Sequence, residues 1–461
     1  MRWNPGRPRR CSGSTRRRSS RSSGSRMSPS CARRESWVSL RVRCRAPPRR
    51  SSALPVVRGT KILTSTPRIG VSMAGPLSPY RIVDLTSMVS GPYATQLLCD
   101  QGADVIKVEA PTGDLMRYAG AARGGISAFY MANNRGKRSV VLDLKDLRGM
   151  AVLERLIAGA DVFVQNFRPG AAERMGLGED RVRALREDIV YVSISGFGES
   201  GPYVHKRVYD PVIQALSGVV SVQGGSDKPR FVRTILPDKV TAVTAAQAIT
   251  AALLGREHTG KGDHVRVAML DATVAWLWPD AFMNHALIGE GVSEPVSMDA
   301  YDQPFETGDG HLVAFAASDS EWQGLTRALD RPDLVTDERF KDLAARAAHF
   351  PEMVAAIREA LADGTVADWV EKLDAEQVPA APVNTVEDVF EDPQIARNGT
   401  IRRFEHPHAG PAWEATPAAG FDQHALSPGA PAPALGEHTD EVLAELGIED
   451  VAALRESGVL G

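Results

Sequence analysis

Residues 81–108 read RIVDLTSMVSGPYATQLLCDQGADVIKV. Arg81-Ile82-Val83-Asp84-Leu85 is a short β-branched run and reads as a strand. Ser90-Gly91-Pro92 then opens a helix that continues through Leu98 and stops at Gly102. Ala103-Asp104-Val105-Ile106-Lys107-Val108 is a second strand. Strand, helix and strand in succession make a crossover unit whose two strands run parallel.

The same alternation continues down the chain. Residues 139–144 read as a third strand, 147–158 as a helix, Val162-Phe163-Val164 as a strand, 182–186 as part of a helix and 190–194 as another strand. This pattern predicts an α/β fold with a mostly parallel sheet covered on both faces. Ligands of such sheets bind at the carboxyl ends of the strands. The loops there read SMVSGPY, EAPTGD, DLKD, QNFRPG and SGFGESGPY.

The chain has 461 residues, 43% apolar and 24% charged, enough for two or three domains with sizeable cores. A net charge of −3 hides an asymmetry: residues 1–72 hold about 19 Lys and Arg against one acid, Glu35, which leaves the remainder near −21. An acidic body argues against nucleic acid as a partner. Residues 1–72 are rich in Arg, Ser and Pro, lack apolar periodicity and read as a disordered basic leader. They also lack the amphipathic face of a transit peptide, and a start placed too far upstream, with Met73 as the true beginning, fits them better. Cys11, Cys31 and Cys44 lie in that leader, so Cys99 is the single cysteine of the body. One cysteine builds neither a disulfide nor a zinc site, which points to a reducing, cytoplasmic compartment and to no metal centre. No apolar run reaches the ~20 residues of a membrane helix.

One carboxylate stands out. In FVRTILPDKVTAVTAAQAITAALLGR, residues 231–256, Asp238 follows Leu236-Pro237 and precedes a long helical run with no further acid until Glu257. Pro237-Asp238 is a good helix start, and the unpaired N–H groups and the dipole there stabilise negative charge. On local sequence alone Asp238 reads as an N-cap, since Asp is among the preferred caps. Gly196, Gly198 and Gly201 formally fit GxGxxG, but they follow a late strand and run into Pro202, the wrong context for a dinucleotide fingerprint. P-loop, HExxH, paired CxxC and GxSxG motifs are absent.

Longer stretches carry a resemblance. RIVDLTSMVSGPYATQLLCDQGADVIKVEAPTGD, NNRGKRSVVLDLK, DVFVQNFRPGAAERMGLG, YVSISGFGESGPY, YDPVIQALSG, REHTGKGDHVRVAMLDA, VPAAPVNTVEDVFEDPQ and LGEHTDEVLAELG occur in family order across residues 80–461. Together they resemble the class III CoA-transferases, the family of formyl-CoA transferase, carnitine CoA-transferase and the α-methylacyl-CoA racemases. The resemblance implies a large Rossmann-like domain with a parallel sheet plus a smaller α+β domain. It places the large domain in 73–290, the small domain in 291–380 and a return to the large domain in 381–461. It also implies an interlinked homodimer.

The family's nucleophile follows the YDxxxQAxSG motif and opens a helix that ends in a glycine turn. Here that residue is Asp238, ahead of Gly260-Lys261-Gly262. The resemblance implies an aspartyl-CoA thioester on Asp238, acyl-CoA and small carboxylic acids as substrates, and no tightly bound cofactor. It assigns CoA contacts to Ser87 and Met88, to Leu142 and Lys145, to Asn166 and Phe167, to Arg174, and to Arg207 and Tyr209. Lys145, Arg174 and Arg207 suit a ligand with several phosphates. Gly218, Gly224 and Gly225 are candidate oxyanion donors. Lys239, beside the nucleophile, either lowers its pKa or points to solvent. Racemases carry His where this chain has Tyr209, and Tyr is poorly suited to moving a proton on and off an α-carbon near neutral pH. Asp210, next to Pro211, reads as the cap of its own helix.

Three alternatives stand beside the transferase: a racemase of the same superfamily, a nicotinamide-dependent oxidoreductase, and a silent acyl-CoA-binding protein in which Asp238 is only a cap. Acid specificity is expected from loops around Tyr93, Arg117, 124–129 and 298–305, with a small dicarboxylate such as succinate on one side; Arg117 itself reads equally as a partner for a substrate carboxylate or as an ordinary surface ion pair. Asp271 is expected to cap a helix over 272–288. Gly308-Asp309-Gly310 is a hairpin signal, residues 321–329, 353–362 and 366–373 read as helices, and the tail reads as a helical pair.

Overall fold

The computed structural model describes residues 75–224, 228–293, 304–422, 424, 426 and 428–461. The expectations for the leader, Met73, Gly225 and residues 298–303 lie outside them. Six strands form the main sheet: β1 (Arg81–Asp84), β2 (Asp104–Glu109), β3 (Arg138–Val141), β4 (Val162–Gln165), β5 (Val190–Ser195) and β6 (His264–Ala268). Every pairing is parallel, and the order across the sheet is β3-β2-β1-β4-β5-β6. The winding direction reverses between β1 and β4, so the connections leaving their carboxyl ends diverge and open a crevice there.

The strands are short and rich in Val and Ile because both faces are covered. Around them run α1 (Ser90–Asp100), α2 (Leu147–Ala158), α3 (Glu179–Leu185), α4 (Asp210–Ser217), α5 (Leu236–Thr259) and α6 (Met269–Leu277). Alternate strand residues divide between two cores, as a period of two requires. Val83, Ile106, Val140, Phe163 and Tyr191 pack with α2, α3 and, from the tail, Val442, Leu443 and Leu460. Ile82, Val105, Val162, Val164, Val190 and Val192 pack with α1 and α5. Those two helices lie side by side, with Ala94 of α1 and Ala242, Ala245 and Ala246 of α5 in one core. Small side chains permit that close approach.

A separate core joins Phe305, Leu312, Trp322, Leu325, Leu361, Trp369 and Leu373. It sits on a small antiparallel sheet of β7 (Phe305–Glu306), β8 (His311–Ala314) and β9 (Ala380–Pro382), with the expected turn between β7 and β8. No described helix is long and apolar enough to cross a membrane.

Three local expectations are corrected. Helix α6 begins at Met269, with Ala268 at its N-cap, so Asp271 lies inside the first turn and caps nothing; the helix also ends at Leu277, well short of 288. The helix expected from 321 starts at Asp319, because Ser318 and Glu321 form a capping box ahead of it. Arg117 is neither a surface ion pair nor free for substrate. It is buried, gives Nε to Glu109 Oε2 at 2.8 Å and Nη2 to Glu109 Oε1 at 2.6 Å, and stacks over Tyr130.

Candidate active site

The turn that leaves β1, residues 85–89, forms one wall of the crevice. Met88 holds φ +71°, a left-handed conformation costly for a residue with a side chain. Buried groups hold it there. Asp114 Oδ1 accepts the Met88 N–H at 3.2 Å while its Oδ2 meets Lys107 Nζ at 3.0 Å, and Lys107 also donates to the Thr86 carbonyl at 2.8 Å. Asp84 accepts the Thr86 N–H at 2.8 Å and Lys137 Nζ at 3.0 Å. Gly91 completes the turn: a Cβ there would lie 2.3 Å from Thr86 Cβ, so any side chain would push the turn from α1. Across the crevice, Asn166 after β4 gives Nδ2 to the Ser87 carbonyl at 2.8 Å and accepts the Ser87 N–H at 3.0 Å. This reciprocal amide pair bridges the two strands at which the sheet reverses.

Helix α5 brings Asp238 to the same place. Its N-cap is Ile235, which offers no side-chain bond, and Asp238, in the first turn, does not cap its own helix. The carboxylate instead lies near Ser90, the first residue of α1, whose main-chain N–H and hydroxyl both favour its charged form. Two helix N-termini thus converge on one carboxylate, each offering donors and positive potential. Asp210 does not cap its own helix either. It accepts the Asp238 N–H at Oδ2, 3.3 Å, and so belongs to the start of α5. Burial first, and the Asp210 charge second, push the Asp238 carboxyl up to about 6, against the opposing pull of the Ser90 N–H and hydroxyl. At pH 7 a group with that value is still about nine-tenths ionised. Lys239 is exposed, with Nζ on Thr234 Oγ1 at 2.7 Å.

A cleft of about 520 Å³ opens over Asp238. Its lining includes eight of the ten residues singled out from the sequence: Ser87, Met88, Asn166, Phe167, Arg174, Arg207, Tyr209 and Asp238. Leu142 and Lys145 lie outside it. Leu142 is fully buried in a bridge with Leu460, which covers it with the tail. Lys145 is exposed on the loop after β3, two strands from β1 and therefore about 10 Å along the sheet. Gly218 and Gly224 are also absent from the lining.

Sequence reading missed Ser90, Arg168 and Lys206. Arg168, Arg174, Lys206 and Arg207 all line the cleft, and none has a carboxylate partner among the described residues. Elsewhere Arg81, Arg135, Arg138, Arg186 and Arg256 each grip an acid. Asp238 is the one carboxylate in the lining. Four cations without a carboxylate partner, over a single half-buried carboxylate, suit an anionic ligand that presents an electrophile to a nucleophile. The GFGESG segment supplies Gly196 and Gly198 to the wall but follows β5 and opens no helix, so it is not a dinucleotide fingerprint.

Comparison with known proteins gives matches over most of the chain. The model of CoA-transferase family III matches residues 77–439. A mouse protein named succinyl-CoA:glutarate CoA-transferase is 33% identical over 413 residues, 87% of this chain and 94% of its own length. A Haloarcula hispanica protein named succinyl-CoA:mesaconate CoA-transferase is 36% identical over 401 residues, 81% of this chain and 97% of its own. The crystal structure of a CaiB/BaiF family protein from Brucella suis superposes with a TM-score of 0.71 at 32% identity, covering 81% of this chain and 99% of that one.

Proposed function

This chain belongs to CoA-transferase family III and is a CoA-transferase, and from that premise we propose that it moves CoA from an acyl-CoA donor to a carboxylic acid acceptor through an aspartyl-CoA thioester on Asp238. The observation that carries the reading is one carboxylate and four cations, none with a carboxylate partner among the described residues, in a single cleft. Asp238 attacks the thioester carbonyl; the C–S bond breaks and the CoA thiolate leaves a mixed anhydride. The thiolate then attacks the aspartyl carbonyl and releases the donor acid as its carboxylate. The acceptor carboxylate attacks the aspartyl thioester, again through an anhydride and free thiolate, and the thiolate takes the new acyl group. One negative charge circulates and no proton changes hands. One hard transfer is divided into easier steps.

Ser90 orients the nucleophile. Arg168, Arg174, Lys206 and Arg207 bind phosphate, with Lys145 at the far nucleotide end. Ser87, Met88, Asn166, Phe167 and Tyr209 shape the channel for the pantetheine arm, and Leu142 supports it from the core. The relatives' names favour succinyl-CoA as donor and a small dicarboxylate as acceptor. The same reading takes 73–290 with 381–461 as the large domain and 291–380 as the small one, in a cytoplasmic, interlinked homodimer.

The test is mass spectrometry after incubation with an acyl-CoA panel that includes succinyl-CoA, trapping with hydroxylamine or borohydride. The expected result is a modification on Asp238 that Asp238→Asn abolishes. A chain that binds CoA and is modified nowhere across the panel refutes the mechanism.

A further inference from the structure

Asp210 is a buried carboxylate beside the half-buried nucleophile, and it lies outside the cleft lining. Its Oδ1 accepts Gln214 Nε2 at 2.7 Å while its Oδ2 accepts the Asp238 N–H at 3.3 Å. Gln214 also fastens the segment that enters α5. It donates to the Thr234 carbonyl at 3.0 Å and accepts the Val232 N–H at 3.0 Å. The Asp210–Gln214 pair therefore fixes the start of the nucleophile helix and leaves a negative charge against it. Fixing alone does not need the charge, since a neutral acceptor satisfies an N–H with a smaller desolvation cost.

The charge is weakly compensated. From α5 the Asp238 N–H and one positive charge, Lys239, act on Asp210, and Lys239 is exposed and tied to Thr234. From α4 the contact is neutral Gln214, and from α1 Asp238 receives neutral Ser90. The cations of the cleft, Arg168, Arg174, Lys206 and Arg207, are in its lining, which Asp210 does not reach.

We propose that Asp210 is a positioning residue whose fixed negative charge favours the covalent forms of Asp238 over its free carboxylate, an inference that rests on the thioester mechanism above. Asp210 repels an ionised Asp238. It does not repel the anhydride or the thioester, which are neutral at that carbonyl. Acylation sends the charge away on the CoA thiolate, so Asp210 raises the energy of the resting enzyme relative to the intermediates. A proton and an acyl group neutralise Asp238 alike, so both equilibria feel the same repulsion.

Asp210→Asn, with Asp238→Asn as control, tests this by two readouts on the full-length enzyme. The first is the acid limb of kcat/KM against pH, compared between variants so that the substrate's own titration cancels. The second is the fraction trapped as CoA adduct at a fixed ratio of acyl-CoA to free acid. The expected result is an acid limb about one pH unit lower and an adduct equilibrium constant about tenfold smaller, one free energy read twice. Unchanged readouts in a folded variant, or a limb that moves up, overturn the inference. Should Asp210→Asn not fold, Asp210→Ser carries the same expectation, and failure of both to fold makes Asp210 purely structural and also overturns it. An active Asp238→Asn, or a wild-type enzyme without adduct, refutes the thioester mechanism itself. An adduct on Asp238 that Asp210→Asn leaves untouched refutes only the role of Asp210.

Discussion

Ser90→Ala isolates the force that opposes Asp210. Ser90 is buried at the first position of α1, and its main-chain N–H and its Oγ both act to favour the charged form of the Asp238 carboxylate. Alanine keeps the main-chain donor and the helix and removes only Oγ. A hydrogen bond to an ionised group contributes about 1.5–3 kcal/mol. At 1.36 kcal/mol per unit of pKa, losing it raises the Asp238 value by about one to two units, from about 6 to about 7–8. The sign is fixed by what the donor stabilises. Ser90 favours the charged form, so its loss favours the proton. The ionised fraction at pH 7 then falls from about nine-tenths to between about a half and a tenth. The assay is kcat/KM from pH 5 to 9 with one acyl-CoA and one acceptor. The acid limb should move up by that amount and activity should recover at pH 9. A limb that stays in place while activity falls equally at every pH refutes the electrostatic account and leaves Ser90 a steric role only.

Arg174→Ala should raise KM for acyl-CoA about tenfold with little change in kcat, the loss of one charge-assisted contact, and should flatten the dependence of KM on ionic strength; steady-state kinetics at 50 and 300 mM salt check both. Asp238→Asn should be inactive yet more stable. The folded pKa lies near 6 and the ordinary value is 3.8, so the ionised carboxylate costs nothing below about pH 4 and its full penalty above about pH 6. That penalty is about 3 kcal/mol. Urea midpoints should therefore favour Asn at pH 7.5 over wild type and converge at pH 4, and a variant equally or less stable at pH 7.5 contradicts the strained-carboxylate account.

The parallel sheet was legible because its strands announce themselves locally. RIVD and VFV are short stretches whose centres are Ile and Val or Val and Phe, and both proved buried along their whole length. The helix start at Pro237-Asp238 was legible locally, but there Asp238 read as an N-cap, and only the resemblance singled it out as a nucleophile. Its neighbour Ser90 was not legible, because it comes from another βα unit and no local pattern pairs them. Asp210 misled for the same reason. Next to Pro211 it reads as a cap for α4, but its N–H partner is Asp238, 28 residues on. Arg117 read as a surface residue, since neither Glu109 nor Tyr130 looks like a buried partner until the sheet brings them together. Local sequence reports which residues can start an element. Burial and charge pairing are decided by the neighbouring element, and these three residues lie where elements meet.

That distinction explains how the site holds a carboxylate in an intermediate state. Two helix N-termini and two Ser90 donors would, in water, hold Asp238 well below 3.8. Burial and Asp210 act against them, and the balance falls near 6. A carboxylate stabilised fully would be ionised but a poor nucleophile, while one buried without donors would carry a proton at pH 7. The opposing groups come from α1 and α4, which pack on α5 independently, so each can be changed without moving the other. Ser90→Ala and Asp210→Asn should accordingly shift the acid limb in opposite directions, and the double variant should lie near the sum of the two shifts if the groups act through Asp238 alone.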